Sequence, residues 1–320
     1  VFVKRFGTYV DELIEFPGYP GIPEREPALA EIPHFLASMQ ARSFDLALQM
    51  HGNGSITNPL LVLLGARMNA GFFVPGQFCP DERTFLPYTD SQPEVARYAG
   101  LVESLGIAST GCTLEFPLWK DDREELARLA DIRGLWPGEY VCVHPGAHDP
   151  LRCWPVKHFA AVADALGTLG MSVVLTGSSA ERGLTERVAQ SMRCPAINLA
   201  GQTTLGALAV LLSNARLLVC NDTGVSHIAA ALRVPSVVIF TNSDPGRWAP
   251  LDRNLHKPVV GVVRGSSRPT RRTVHASAMG DFSNGASHAG GREVALPTIE
   301  EVQAAAENLL SREKFYWHAG

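Results

Sequence analysis

A chain of 320 residues with 46% hydrophobic and 19% charged side chains has a globular composition, and its length suits two domains of ordinary size. The formal net charge of −4 gives a nucleic-acid partner no electrostatic support, and no apolar run reaches the ~18 residues that a membrane-spanning helix needs. The six cysteines (Cys79, Cys112, Cys142, Cys153, Cys194 and Cys220) form no C-x-x-C pair and no metal-ligand spacing, and the N-terminus lacks a signal-peptide pattern, so a reducing, cytoplasmic location is expected.

In chain order, the first half is the less regular. FDLALQM (44–50) and NAGFFV (69–74) read as strands, with a helix at about 55–65 between them and another at about 91–106. The loop His51-Gly52-Asn53-Gly54-Ser55 leaves the first of these strands at its C-terminal end. His51 and Asn53 are therefore candidates for acceptor contacts, with an ordinary polar loop as the alternative. A charged helix between Pro117 and Pro137 is expected to join this half to the next.

The second half alternates strand and helix. YVCVHP (140–145), SVVLTG (172–177), AINLAG (196–201), LLVCND (217–222) and SVVIFT (236–241) are near-continuous apolar runs, with helical patterns at about 155–169, 180–192, 204–214 and 225–233 between them. That grammar predicts an α/β domain with a parallel sheet covered on both faces. Right-handed crossovers then bring the loops after all five strands to one edge, where open α/β sheets bind ligands. Beyond residue 263 the Ser-, Arg- and Gly-rich stretch 264–293 has no periodicity and is expected to be an irregular loop. Helix resumes with Thr298-Ile299-Glu300-Glu301, a capping-box pattern, and this last helix is expected to fold back across an interdomain cleft.

Four of these loops carry candidate chemistry. In Asn221-Asp222-Thr223-Gly224, glycine permits close approach to the backbone and the helix that follows offers about half a positive charge at its N-terminus, which suits a phosphate. The alternative is that Asp222 or Thr223 merely caps the helix. His227 lies in the first turn of that helix. Arg152, before Trp154-Pro155, can pair with phosphate oxygens, whereas Trp154 reads as packing beneath the loop. Glu181, after Ser178-Ser179, is either a ribose contact or a plain first-turn carboxylate. Asp244 and Arg247 either line the cleft or pair with each other.

Taken together, HPGA (144–147), Arg152-Cys153-Trp154-Pro155, NLAGQTTLGALAVLLSNA (198–215) and CNDTGVSHIAAALRVPSVVIFTNSDPGRWAPL (220–251) resemble the donor-binding domain of glycosyltransferase family 9, the lipopolysaccharide heptosyltransferases. YVDELIEFPG (9–18), RSFDLALQMHGNGS (42–55) and LLGARMNAGF (63–72) resemble the family's N-terminal domain more loosely. The resemblance implies a GT-B fold, two Rossmann-like doubly wound domains facing a cleft. It also implies inverting sugar transfer from a nucleoside-diphosphate sugar, typically ADP-heptose, with no metal and no cofactor. The implied partners are that donor and a lipopolysaccharide core or other saccharide acceptor, with peripheral contact at the inner membrane surface and no nucleic acid.

By motif match, Asp222, Thr223, Gly224 and His227 surround the donor diphosphate and sugar, Arg152 neutralises the leaving diphosphate, and Glu181 corresponds approximately to a ribose contact. The expected domains are 1–135 on the acceptor side, 136–263 for the donor, an irregular 264–297 and a helix with tail at 298–320. Family members open with a strand and a Gly-Asp loop whose acidic residue is the proposed base. Here that first βα unit is expected to be missing, Asp11 does not replace it, and no catalytic residue is assigned. Two other readings stay open: a nucleotide-sugar-binding remnant without catalysis, and a GT-B-type sugar-nucleotide epimerase.

Overall fold

The computed structural model describes residues 5–261 and 295–312, so the irregular stretch expected at 264–293 lies outside the described residues. The chain divides into two compact units, Val1–Cys112 and Thr113–Gly320.

The first unit runs α1 (Ile32–Ala41), β1 (Leu46–Leu48), α2 (Thr57–Leu63), β2 (Met68–Phe73), β3 (Phe85–Pro87) and α3 (Glu94–Ser104). Its three strands pair in parallel in the order β1-β2-β3. Ala70, Phe72 and Leu101 form its core, and the rings of Tyr98 and Tyr88 meet Phe72 edge-on at 6.0 and 6.3 Å. Both strands and both helices anticipated from the sequence are present. Helix α1 and strand β3 were not foreseen: α1 buries only Met39, and β3 is three residues long, too short to display an alternation.

The second unit begins with α4 (Lys120–Arg128), the charged helix expected to be a joining segment. It packs on α7 (Leu205–Asn214), and the Glu125 carboxylate accepts from Thr204 N at 3.2 Å and Thr204 Oγ1 at 2.7 Å. The remaining elements are β4 (Tyr140–His144), α5 (Val156–Thr168), β5 (Ser172–Leu175), α6 (Arg182–Ser191), β6 (Ala196–Asn198), β7 (Leu217–Asn221), α8 (Gly224–Ala231), β8 (Ser236–Phe240), α9 (Pro245–Trp248), β9 (His256–Val260) and α10 (Ile299–Leu310).

All six strands of this unit are parallel, in the order β6-β5-β4-β7-β8-β9. The chain winds outward from β4 to β6, returns to β7 and winds outward again to β9. The loops leaving β4 and β7 therefore diverge, which opens a crevice at the carboxyl ends of those two neighbours. Strands β4, β7 and β8 are buried along their whole length, as apolar runs covered by helices on both faces require. Strand β9 escaped the sequence reading because its HKPVV carries Lys257 and Pro258. A proline cannot donate to the ladder and is tolerated at the sheet edge, where β9 pairs with β8.

Helix α10 starts as its sequence predicts: Thr298 Oγ1 accepts from Glu301 N at 3.2 Å and Glu301 Oε2 accepts from Thr298 N at 2.8 Å. It buries Val302, Ala306 and Leu309, and its packing partners are α5, β7, β8 and β9 of its own unit, where the sequence reading had sent it across a cleft. Arg216 Nη2 holds its far end by donating to Leu310 O at 2.9 Å and Arg312 O at 2.7 Å. Replacing Thr298 with alanine removes the cap and is expected to lower unfolding free energy by about 1 kcal/mol, read as a shift in the urea midpoint at constant slope.

Candidate functional site

Five sequence-predicted residues lie on the two loops that flank the crevice or in the first turn of α8, and a sixth lies after β5. Loop 145–154 leaves β4 and turns through a short 3-10 segment, Pro150–Arg152, capped by Asp149, whose Oδ1 accepts from Leu151 N at 2.9 Å. This turn presents Arg152, whose Nη1 reaches Asp222 Oδ2 at 3.3 Å across 70 positions of sequence. Asp222 is only 3% exposed, and the same oxygen accepts from Ser243 Oγ at 2.6 Å. An almost buried carboxylate is thus met by one guanidinium and one hydroxyl, the partners that make its burial affordable.

The capping alternative does not describe the start of α8. Thr223 stands at the N-cap in an extended conformation with no side-chain cap bond, and the Asp222 carboxylate is turned to Arg152 and Ser243. Gly224 is exposed, and a Cβ added to it would meet nothing within 4 Å, so the approach to the helix amides is open. That leaves a positive helix end without a side-chain cap, beside an arginine, at the topological switch point of the sheet. His227, half-buried one turn into α8, is held below the ordinary imidazole value by burial, against an opposing pull from Asp222. It is therefore neutral at pH 7 and able to accept or donate one hydrogen bond.

Glu181 caps its own turn. Its Oε2 accepts from Ser178 N at 2.7 Å and Ser178 Oγ at 2.8 Å, closing a capping box over the turn after β5. Burial pushes its carboxyl up, but the Ser178 bonds and the His144 ring bring it below its usual range. Its other oxygen lies against Gly146, where a Cβ would displace it. His144 ends β4 fully inside, with Nδ1 3.0 Å from Thr176 Oγ1; burial lowers its pKa against the attraction of Glu181.

Trp154 packs beneath the loop as expected. It is 2% exposed, lies edge-on to Phe159 with centroids 5.3 Å apart, and donates Nε1 to Pro297 O at 2.9 Å. Asp244 caps α9 by accepting from Gly246 N at 2.8 Å, and the Arg247 guanidinium lies 4.7 Å from the Trp248 ring centroid. In the first unit, His51 Nε2 is 2.9 Å from Glu24 Oε1 and Asn53 Oδ1 accepts from Ser55 N at 3.0 Å in a side-chain turn. Three residues that sequence reasoning gave no role complete the site: Ser243 on Asp222, Asn221 on the β4 loop, and Thr241, whose Oγ1 donates to Leu151 O at 2.8 Å. Their only signal in sequence was polarity at the end of an apolar strand.

Comparison with known proteins gives the family and the fold. The family model for glycosyltransferase family 9 (heptosyltransferase) matches residues 33–273. The chain is 28% identical over 253 residues to lipopolysaccharide heptosyltransferase 3 of Escherichia coli, covering 76% of this chain and 72% of that protein. It is 33% identical over 226 residues to a second Escherichia coli protein of the same name, covering 68% of this chain and 60% of that one. Among solved structures, Escherichia coli ADP-heptose lipopolysaccharide heptosyltransferase II superposes with a TM-score of 0.60 at 19% identity, over 90% of this chain and 84% of the other, a likeness of fold. With its Rossmann-like parallel sheets of GT-B type and a family match spanning most of its length, the chain belongs to glycosyltransferase family 9, the heptosyltransferases.

Proposed function

We propose that this protein transfers a heptose from ADP-heptose to a saccharide acceptor of the lipopolysaccharide core, with inversion and without a metal ion. One observation carries the reading: Arg152, Asp222 and the open N-terminus of α8 converge at the crevice between β4 and β7. In such a transfer the acceptor hydroxyl oxygen bonds to the anomeric carbon while the bond from that carbon to the phosphate oxygen breaks. The charge appearing on the departing diphosphate is met by the Arg152 guanidinium and the Thr223 and Gly224 amides, fixed donors that stand where a cation would otherwise serve. Asp222, through its hold on Arg152, and His227 belong to the diphosphate and sugar side, Glu181 to the ribose, and His51 and Asn53 to the acceptor side. No base is assigned for the acceptor proton.

The acceptor is part of a lipid, so the reading includes contact with the cytoplasmic face of the inner membrane; among the described residues no helix is long and apolar enough to cross a membrane. Titration calorimetry with ADP, ADP-heptose and UDP-sugars tests the donor, and product analysis with a core acceptor tests transfer. Binding of ADP compounds with transfer is expected. Binding without transfer would limit the chain to nucleotide-sugar capture, and no binding of any of them would end the proposal. Arg152→Ala is expected to weaken ADP binding by about 1.5 to 3 kcal/mol, as loss of a charged hydrogen bond does. Unchanged affinity would remove Arg152 from the site.

A further inference from the structure

We infer that Asn221 and Thr241 are positioning residues for Arg152, clamping the backbone of loop 145–154 before and after it in the chain. Asn221 is fully buried at the end of β7 and spends its whole side-chain amide on the loop of the neighbouring strand. Its Nδ2 donates to Pro145 O at 2.8 Å and Gly146 O at 3.4 Å, and its Oδ1 accepts from Trp154 N at 3.0 Å. Thr241, just past β8, holds Leu151 O at 2.8 Å. Arg152 therefore stands between a carbonyl fixed from β8 and an amide fixed from β7. A buried amide in an otherwise apolar strand costs free energy unless every polar atom is met, and here the partners are all on the Arg152 loop. The clamp orders that loop during folding, so the ordering entropy is not charged to ligand binding. Neither residue touches the reacting atoms; both act through Arg152, and the inference rests on the donor reading above.

The test measures ADP and adenosine affinity by calorimetry for Thr241→Val and Asn221→Asp, each alone and in an Arg152→Ala background. Thr241→Val deletes one bond at a half-buried position and keeps the fold. Asn221→Asp preserves the acceptor for Trp154 N and replaces the donor that faces two carbonyls. Each single change is expected to weaken ADP on the order of five- to tenfold, the loss of one or two hydrogen bonds, and to leave adenosine unaffected. In the Arg152→Ala background neither is expected to cost anything further, the non-additivity of residues that act as a unit. Equal losses in both backgrounds, or equal losses for ADP and adenosine, overturn the inference. Failure of the wild-type protein to bind ADP is a failure of the donor reading instead. In that event hydrogen exchange of segment 145–154 decides: protection unchanged by both substitutions rejects the clamp itself.

Discussion

Trp154→Ala is expected to lower the unfolding free energy by about 3 to 5 kcal/mol, the cost of emptying a buried tryptophan site. The indole is enclosed by Phe159 and by His158, whose ring centroid is 4.9 Å away, and its Nε1 ties the loop entering α5 to the carbonyl of Pro297, the residue that leads into α10. Removing it leaves both a cavity and an acceptor without its donor, so two mechanisms add. Trp154→Phe keeps most of the volume and loses only the Nε1 bond, and a loss of about 1 kcal/mol is expected for it. Urea unfolding followed by circular dichroism measures both. If alanine and phenylalanine lower stability alike, the hydrogen bond and not the packing fixes this corner. Because Trp154 N is also the group held by Asn221, the alanine variant loosens the loop that presents Arg152, and its ADP affinity is expected to fall with its stability.

How much of this was legible in the sequence follows from which forces are local. Strands β4 to β8 and the helices between them were readable because a strand buried on both faces must be apolar along its length, and YVCVH, LLVCN and SVVIF are. Strand β9 was not readable because at an edge Lys257 and Pro258 are admissible. The Ser178-to-Glu181 spacing suits a capping box, although the sequence reading named such a box only at Thr298. Helix α4 gave no sign of its partner, since its exposed charges look alike until Glu125 is seen on Thr204. The site shows the same division. Arg152 was readable as a type suited to a diphosphate and Asp222 only through the family motif, but that they meet, and that Asn221, Thr241 and Ser243 hold them, depends on β4, β7 and β8 being neighbours. Strand order is a long-range property, and no window of sequence around any of these residues contains it.

Gly54→Ala is the second large effect, expected in the first unit at about 2 to 5 kcal/mol. Gly54 has φ of +89°, a left-handed conformation that costs an alanine about 1 to 2 kcal/mol. A Cβ there would also overlap the carbonyl oxygen of Phe72, which is backbone and cannot step aside, and the Asn58 Nδ2 that donates to it at 2.9 Å. Breaking this buried bond adds about 1 to 3 kcal/mol. Gly52 supplies the control two residues earlier, because its φ is +62° and a Cβ there meets nothing within 4 Å. Gly52→Ala is therefore expected to cost only the conformational part. Comparing the two by thermal unfolding isolates the close approach: a Gly54→Ala loss no larger than that of Gly52→Ala would show that backbone conformation alone selects glycine here. The comparison bears on function because the same turn carries His51 and Asn53, and β2, through Phe72, is what fixes that turn in place.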